Sequence, residues 1–115
     1  MSGALAGIRV IDFGQYIPGP LAAVMLADQG ADVIHVDPPG GPRWRTPADA
    51  FFNRNKRRIE LDLKDAPRLD VAKRLIAGAD VVIENFRPGV MDRLGLGATA
   101  MMDGNQRLIY CSIPG

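Results

Sequence analysis

Residues 81–90, VVIENFRPGV, pass from an apolar run to polar, aromatic and basic side chains and then to a Pro-Gly turn. Asn85 can both donate and accept hydrogen bonds, and Phe86 offers a face for stacking. Arg87 and the nearby Arg93 add positive charge. This combination suits a ligand that carries amide and nucleotide groups. The alternative interpretation is a plain strand end followed by a turn.

A second segment with chemical potential is the basic hexapeptide NRNKRR at residues 53–58, which Arg43 and Arg45 in the preceding loop could supplement. Arginine offers planar, bidentate contacts to phosphate, and lysine offers a point charge. We therefore expect an electrostatic handle for phosphate groups. A solvated loop is the more common role of such a segment and remains the alternative.

The third segment, GQYIPGP at residues 14–20, is not a glycine-rich phosphate loop, because Pro18 and Pro20 lack backbone donors. Gly19 has no side chain, and a helix N-terminus is expected directly behind it. A flat part of a ligand could therefore approach the backbone closely at this turn. A plain strand-to-helix turn is the alternative.

The surrounding pattern supplies the elements that position these segments. Near-continuous apolar runs predict strands covered on both faces of a parallel sheet, at Ile8–Phe13, Val33–Val36, Val81–Ile83 and Leu108–Ile113. The run Arg58–Lys64 alternates instead, which predicts a strand near an edge with one wet face. Helical patterns predict a helix buried nearly all round at Pro20–Gln29, an amphipathic helix at Pro67–Ala77, and short helices near residues 89–94 and 99–103.

The resulting order, β-α-β-β-α-β-α-β, predicts an α/β, Rossmann-like layered domain with a mostly parallel sheet. Residues 38–55 show no clear period and are expected to form a long surface loop. In open α/β sheets, ligands bind beyond the carboxyl ends of the strands. The segments that follow the strands are thus the places to expect a site.

Composition narrows the class of protein. The 115 residues suit one domain, and the net charge of +1 gives no global field for nucleic acid or an anionic membrane. Cys111 is the only cysteine, no apolar run is long enough for a membrane span, and the N-terminus lacks a secretory signal, so we expect a cytoplasmic protein.

His35 has no partner at metal-ligand spacing and is expected in a strand near the surface. Cys111 is expected to be inert core, and neither a zinc pattern nor a nucleophile–base pair is present.

Five stretches, taken in order, resemble the N-terminal part of family III CoA-transferases: LAGIRVIDFG, PGPLAAVMLADQGADVIHVDPPGG, NRNKRRIELDLK, ADVVIENFRPGVMDRLGLG and RLIYCSIPG. That group includes formyl-CoA and carnitine-CoA transferases, and its fold is shared with α-methylacyl-CoA racemase. The resemblance implies that residues 1–115 are the N-terminal CoA-binding portion of such an enzyme. It implies coenzyme A or acyl-CoA as ligand, a carboxylic acid as acceptor, and no metal.

Carried over by position, the resemblance places coenzyme A contacts at ten residues: Ile17, Pro18, Leu61, Asp62, Leu63, Lys64, Asn85, Phe86, Arg87 and Arg93. The phosphates of coenzyme A would be the partners of the basic residues. Where the family often has a basic residue after the second strand, this chain has Pro38-Pro39.

The resemblance also implies a longer protein. The family's catalytic aspartate, which attacks the acyl-CoA thioester, lies downstream of these stretches, so we predict no catalytic residue in this chain and expect it to be inactive alone. Asp12, Asp32, Asp37 and Asp62 are interpreted as structural or ligand-contacting. A complementary chain or a homo-oligomer would be its protein partner. A racemase-like fragment and a non-catalytic nucleotide- or CoA-binding module are the alternatives.

Overall fold

The computed structural model describes residues 3–41 and 47–113, which form one α/β layered unit. The strands are β1 (Arg9–Asp12), β2 (Asp32–Asp37), β3 (Arg57–Glu60), β4 (Val81–Glu84) and β5 (Ile109–Ser112). The helices are α1 (Pro18–Asp28), α2 (Pro47–Phe52), α3 (Ala66–Ala77), α4 (Val90–Arg93) and α5 (Ala98–Gly104).

The five strands form one sheet in the order β3-β2-β1-β4-β5, and the four neighbouring pairs among these described strands are all parallel. The chain moves outward from β1 through β2 to β3, and α3 then returns it to the other side of β1. The strand order therefore reverses between β1 and β4. This is the topological switch point at which open α/β sheets bind ligands. The predicted α/β class with a mostly parallel sheet is confirmed, and β3 lies at an edge as its alternation predicted.

Helices cover both faces of the sheet, which explains why the inner strands read as continuous apolar runs. Successive strand residues point to opposite faces. Val10 of β1 thus packs in the cluster that contains Ala23 of α1, and Ile11 packs in the cluster that contains Ala72 and Ile76 of α3. Val10 and Ile11 are both fully buried. Burial of side chains of this size stabilises the fold by roughly 1.5–3 kcal/mol each.

Two predictions about the segment between β2 and α3 are wrong. Residues 38–55 are not all loop, because they contain α2, a helix too short to show a 3.6-residue period in the sequence. The strand predicted at Arg58–Lys64 ends at Glu60. Its last ladder bond runs from the N–H of Leu61 to the carbonyl of Asp37, and the following Pro38-Pro39 has no N–H groups with which to continue the ladder. Arg43 and Arg45 lie outside the described residues.

Helix α1 is not buried all round as predicted. It packs on the sheet through Ala23, Ala27 and neighbouring small residues, whereas Leu21 and Met25 on the opposite side are 38% and 57% exposed. An apolar composition therefore did not translate into complete burial, because only one side of this helix meets the sheet. Within residues 3–41 and 47–113, no helix has both the length and the apolar character to cross a membrane.

Candidate functional site

A cavity of about 780 Å³ lies at the carboxyl ends of the strands, beside the switch point, and we call it the strand-tip pocket. Its walls come from the segments that follow β1, β2, β3 and β4 and from α4. They are formed by Phe13, Gln15, Tyr16, Pro18, Val36, Asp37, Pro38, Pro39, Leu61, Asp62, Leu63, Lys64, Asn85, Phe86, Arg87, Val90 and Leu94.

Eight of the ten residues predicted from the sequence line the strand-tip pocket, namely Pro18, Leu61, Asp62, Leu63, Lys64, Asn85, Phe86 and Arg87. The other two, Ile17 and Arg93, are not among its lining residues. The sequence analysis missed the apolar wall and floor residues Phe13, Val36, Val90 and Leu94, as well as Pro38 and Pro39. Each of these residues lies at or just after the end of a strand, or in the helix that follows. That position is the sequence signal from which they could have been predicted.

The pocket combines an apolar interior with a charged rim. Phe86 is half-buried against the core cluster that contains Ile11 and Leu61, so it presents one side to the pocket region and packs with the other. Lys64 and Arg87 are exposed and form no ion pair with any described residue. Their charges are therefore available to an anionic ligand.

Asn85 joins the end of β4 to the turn after β1 across the switch point. Its side-chain carbonyl accepts the N–H of Gln15 at 2.7 Å, and its amide donates to the carbonyl of Gln15 at 2.7 Å. Tyr16, which follows Gln15, adopts a left-handed backbone conformation with φ of 62°, which is energetically unfavourable for a residue with a side chain. Asn85 thus holds a strained turn in place. Direct contact of Asn85 with a ligand stays a prediction.

The turn uses the space that Gly19 leaves. A Cβ atom on Gly19 would lie 2.7 Å from the Cα of Gly14 and 3.3 Å from the side chain of Asn85. Gly19 is buried, so its missing side chain allows the backbone of α1 to pack against the strand end. Here the plain strand-to-helix turn, rather than close approach of a ligand to Gly19, is the interpretation that the structure favours.

The basic hexapeptide does not line the strand-tip pocket, and its cations are paired within the protein. Each of its four basic side chains contacts a carboxylate: Lys56 contacts Asp12, Arg54 contacts Asp28, Arg57 contacts Asp32, and Arg58 contacts Asp37 and Asp49. These cations neutralise the protein's own acidic groups. These pairs give no support to the hypothesis of a phosphate handle at this segment, which stays a prediction.

His35 is buried, with 2% of its surface exposed, which corrects its prediction as a strand residue near the surface. Its Nδ1 lies 2.7 Å from Oδ2 of Asp12, and its Nε2 lies 3.1 Å from Oδ1 of Asp37. Nζ of Lys56 donates to the same Asp12 oxygen at 2.8 Å and to the carbonyl of Pro20 at 3.0 Å. The two carboxylates compensate for the loss of water around the imidazole and the ammonium group.

The pKa values of this cluster follow from burial and pairing. Burial alone raises the pKa of Asp12, but hydrogen bonds and charges from His35 and Lys56 outweigh it and hold the pKa below 3.8. Burial alone lowers the pKa of His35, but Asp12 and Asp37 outweigh it and raise the pKa above 6.5. For Lys56 burial dominates, and its pKa lies below 10.5 although Asp12 opposes the shift.

The sequence analysis missed this cluster. The signal that could have found it is that Asp12 and Asp37 each close an apolar strand, since the carboxyl ends of parallel strands meet at one edge. Cys111, predicted as inert core, is only half-buried. In the part of the chain that the structure describes, no group of three His, Cys, Asp or Glu side chains is arranged to hold a metal ion.

Comparison with known proteins finds relatives whose names describe enzymes of CoA thioesters. The chain is 54% identical over 111 residues to the CoA-transferase/lyase DddD of Marinomonas sp., which covers 96% of this chain and 13% of that protein. It is 39% identical over 111 residues to the α-methylacyl-CoA racemase of Mus musculus, which covers 96% of this chain and 28% of the racemase.

Among solved structures, Rv3272 from Mycobacterium tuberculosis matches with a TM-score of 0.90 and 42% identity over 96% of this chain and 32% of that one. A CAIB/BAIF family protein from Brucella suis matches with a TM-score of 0.90 and 36% identity over 97% of this chain and 33% of that one. The chain thus spans a third or less of the length of these relatives. The model of CoA-transferase family III matches residues 5–115, and the chain belongs to that family.

Proposed function

We propose that this chain is the CoA-binding portion of a family III CoA-transferase, and that coenzyme A or an acyl-CoA occupies the strand-tip pocket. The observation that carries the proposal is the pocket itself. It lies at the switch point of the sheet, and eight of the ten residues implied by the family resemblance line it. Its volume of about 780 Å³ falls within the usual range for small-molecule sites, roughly 300–1,000 Å³.

The chemistry of the pocket matches the parts of coenzyme A. The half-buried side chains of Leu63, Phe86 and Val90 offer apolar surface for the adenine ring and the pantetheine chain. Lys64 and Arg87, which are exposed and unpaired with any described residue, offer positive charge for the pyrophosphate and the 3′-phosphate. We keep Ile17 and Arg93 as proposed contacts outside the pocket lining.

The reaction of the whole protein would move coenzyme A from an acyl-CoA to a carboxylic acid. Relatives with 40–42% identity are described as acetyl-CoA:oxalate and succinate–glutarate CoA-transferases, which supports a carboxylic acid as the acceptor class. In this chain the pocket carboxylates are engaged: Asp37 contacts His35 and Arg58, and Asp62 accepts the N–H of Lys64. We assign binding and orientation of coenzyme A to these residues and no catalytic role.

A second candidate activity is acyl-CoA racemisation, because the mouse α-methylacyl-CoA racemase is 39% identical over most of this chain. Both candidates use an acyl-CoA, so both predict the same ligand for the strand-tip pocket. They differ in product. Transfer places coenzyme A on a second acid, whereas racemisation changes only the configuration at the α-carbon.

Calorimetric titration of coenzyme A into the purified chain tests the proposal. We expect saturable binding that weakens about tenfold or more in a Lys64→Ala, Arg87→Ala double variant, because each lost charge-assisted contact contributes on the order of 1 kcal/mol at an exposed rim. The matched control is Lys73→Ala with Arg74→Ala, which removes the same two residue types from the exposed face of α3. No binding at millimolar coenzyme A, or equal weakening in both double variants, overturns the proposal.

A further inference from the structure

His35 is buried between two carboxylates, one of which, Asp37, lines the strand-tip pocket, and the family resemblance gave His35 no role. We propose that His35 is a positioning residue of the coenzyme A site: a doubly protonated imidazolium that fixes two walls of the pocket and neutralises the Asp37 carboxylate that lies in one of them. The proposal rests on the proposed function for the identity of the ligand.

The charge state of His35 follows from geometry. Each ring nitrogen lies within hydrogen-bond distance of a carboxylate oxygen, 2.7 Å for Asp12 and 3.1 Å for Asp37. An ionised carboxylate only accepts hydrogen bonds, so a proton on each ring nitrogen is the state that suits both neighbours. Lys56 and Arg58 keep the two carboxylates ionised, since Lys56 contacts Asp12 at 2.8 Å and Arg58 contacts Asp37 at 3.0 Å.

The two carboxylates lead to different walls. Oδ1 of Asp12 accepts the N–H of Gly14 at 2.7 Å, and this bond fixes the start of the turn that places Gln15 in the pocket lining. Asp37 lines the pocket at the end of β2. His35 therefore bridges the turn after β1 and the end of β2, two neighbouring strands with parallel register.

The positive charge of His35 should also affect the binding of an anionic ligand. Excess negative charge around Asp37 would repel a ligand that carries several phosphate charges. Among the described residues, the charged groups linked to His35 by these contacts balance as three carboxylates, Asp12, Asp37 and Asp49, against three cations, His35, Lys56 and Arg58. Loss of the imidazolium would leave one uncompensated negative charge beside the pocket.

The test compares coenzyme A affinity and NMR spectra in four proteins: wild type, His35→Gln, His35→Gln with Asp37→Asn, and Val33→Ala. In wild type we expect a proton on each ring nitrogen of His35 at neutral pH. His35→Gln should weaken coenzyme A binding by about tenfold, the effect of one unit charge near the ligand at an effective dielectric of about 20. Adding Asp37→Asn restores the charge balance and should recover most of that loss.

Val33→Ala is the matched control, because Val33 is buried on the same strand and face but does not line the pocket. It should lower stability and leave affinity unchanged. Equal affinity in His35→Gln and wild type, or a ring nitrogen without a proton at neutral pH, overturns the proposal. If wild type binds no coenzyme A, the proposed function fails, and NMR then decides about His35. Amide shifts in His35→Gln that reach Gly14 and Gln15 support the bridge, and shifts confined to β2 overturn it.

Discussion

Replacing Asn85 with alanine should disconnect the two sides of the switch point. The Asn85 side chain makes two 2.7 Å hydrogen bonds, one to the N–H and one to the carbonyl of Gln15, a residue 70 positions earlier in the chain. Among the described residues, no other hydrogen bond joins the backbone of Gln15 to the end of β4. The variant therefore leaves both backbone groups of Gln15 without these partners, next to the left-handed backbone of Tyr16.

The magnitude follows from the burial of Gln15, which is 9% exposed. Each lost hydrogen bond contributes about 1 kcal/mol net, and a polar group left unsatisfied in a largely buried place costs about 1–3 kcal/mol. Water can reach part of this turn, so we expect the free energy of unfolding to fall by about 2–3 kcal/mol. That is a large fraction of the roughly 5–15 kcal/mol typical of a domain.

Urea unfolding, followed by coenzyme A titration of the folded protein, measures both consequences. With a slope of about 1–3 kcal/mol per molar urea, the midpoint should fall by about 1 M or more. Affinity should weaken about tenfold, because the freed turn must be ordered again on binding. Asn105→Ala is the control, since Asn105 also makes two side-chain hydrogen bonds to backbone, at Ala79 and Arg107, but does not line the pocket.

Two results would refute this reasoning. A free energy of unfolding within about 0.5 kcal/mol of wild type would show that Asn85 does not secure the turn. A clear loss of stability with the same coenzyme A affinity as Asn105→Ala would show that the pocket keeps its shape without the connection.

Two further predictions concern the buried charges. Lys56→Met should lower the free energy of unfolding by about 3 kcal/mol, because it breaks a buried ion pair with Asp12. Arg57→Met breaks an exposed ion pair and should lower it by less than about 1 kcal/mol. Urea unfolding of both variants measures this difference. Stability should also depend on pH from two sides. The raised pKa of His35 contributes to the free energy of unfolding in full below pH 6.5, and this contribution is lost as the pH rises through the folded-state pKa. The lowered pKa values of Asp12 and Asp37 contribute to the free energy of unfolding at higher pH, and these contributions are lost as the pH falls below 3.8. Unfolding at a series of pH values should show the alkaline decline in wild type and not in His35→Gln; its persistence in the variant would contradict the assignment.

Much of the fold could be predicted because burial leaves a local periodic signal. The inner strands are covered on both faces and read as apolar runs, and the alternation after Arg58 agrees with the place of β3 at an edge. The prediction of a strand covered on both faces is wrong for β5, which lies at the other edge and is partly exposed. The errors have equally local causes. Helix α2 is six residues long and shows no period, and the end of β3 depends on Pro38-Pro39, which follow the neighbouring strand β2.

The candidate site, like the fold, could be predicted only in part from the sequence. The stretches after the strands pointed to the strand-tip pocket because carboxyl ends of parallel strands share one edge. The sequence did not show that the basic hexapeptide pairs with the protein's own carboxylates. Those partners lie between 9 and 44 positions away along the chain, and no periodic pattern reports such distances.

The sequence by itself determined that the chain is a layered α/β unit of the CoA-transferase family III type, with its chemically capable residues at the strand ends. Only the tertiary structure decided which strand ends are neighbours, and with it the pairing of Asn85 with Gln15 and the enclosure of His35 by Asp12 and Asp37. The physical reason is that hydrophobic periodicity records which face of an element is buried. Hydrogen bonds and ion pairs between distant residues depend instead on strand order, which is set by the packing of the whole sheet.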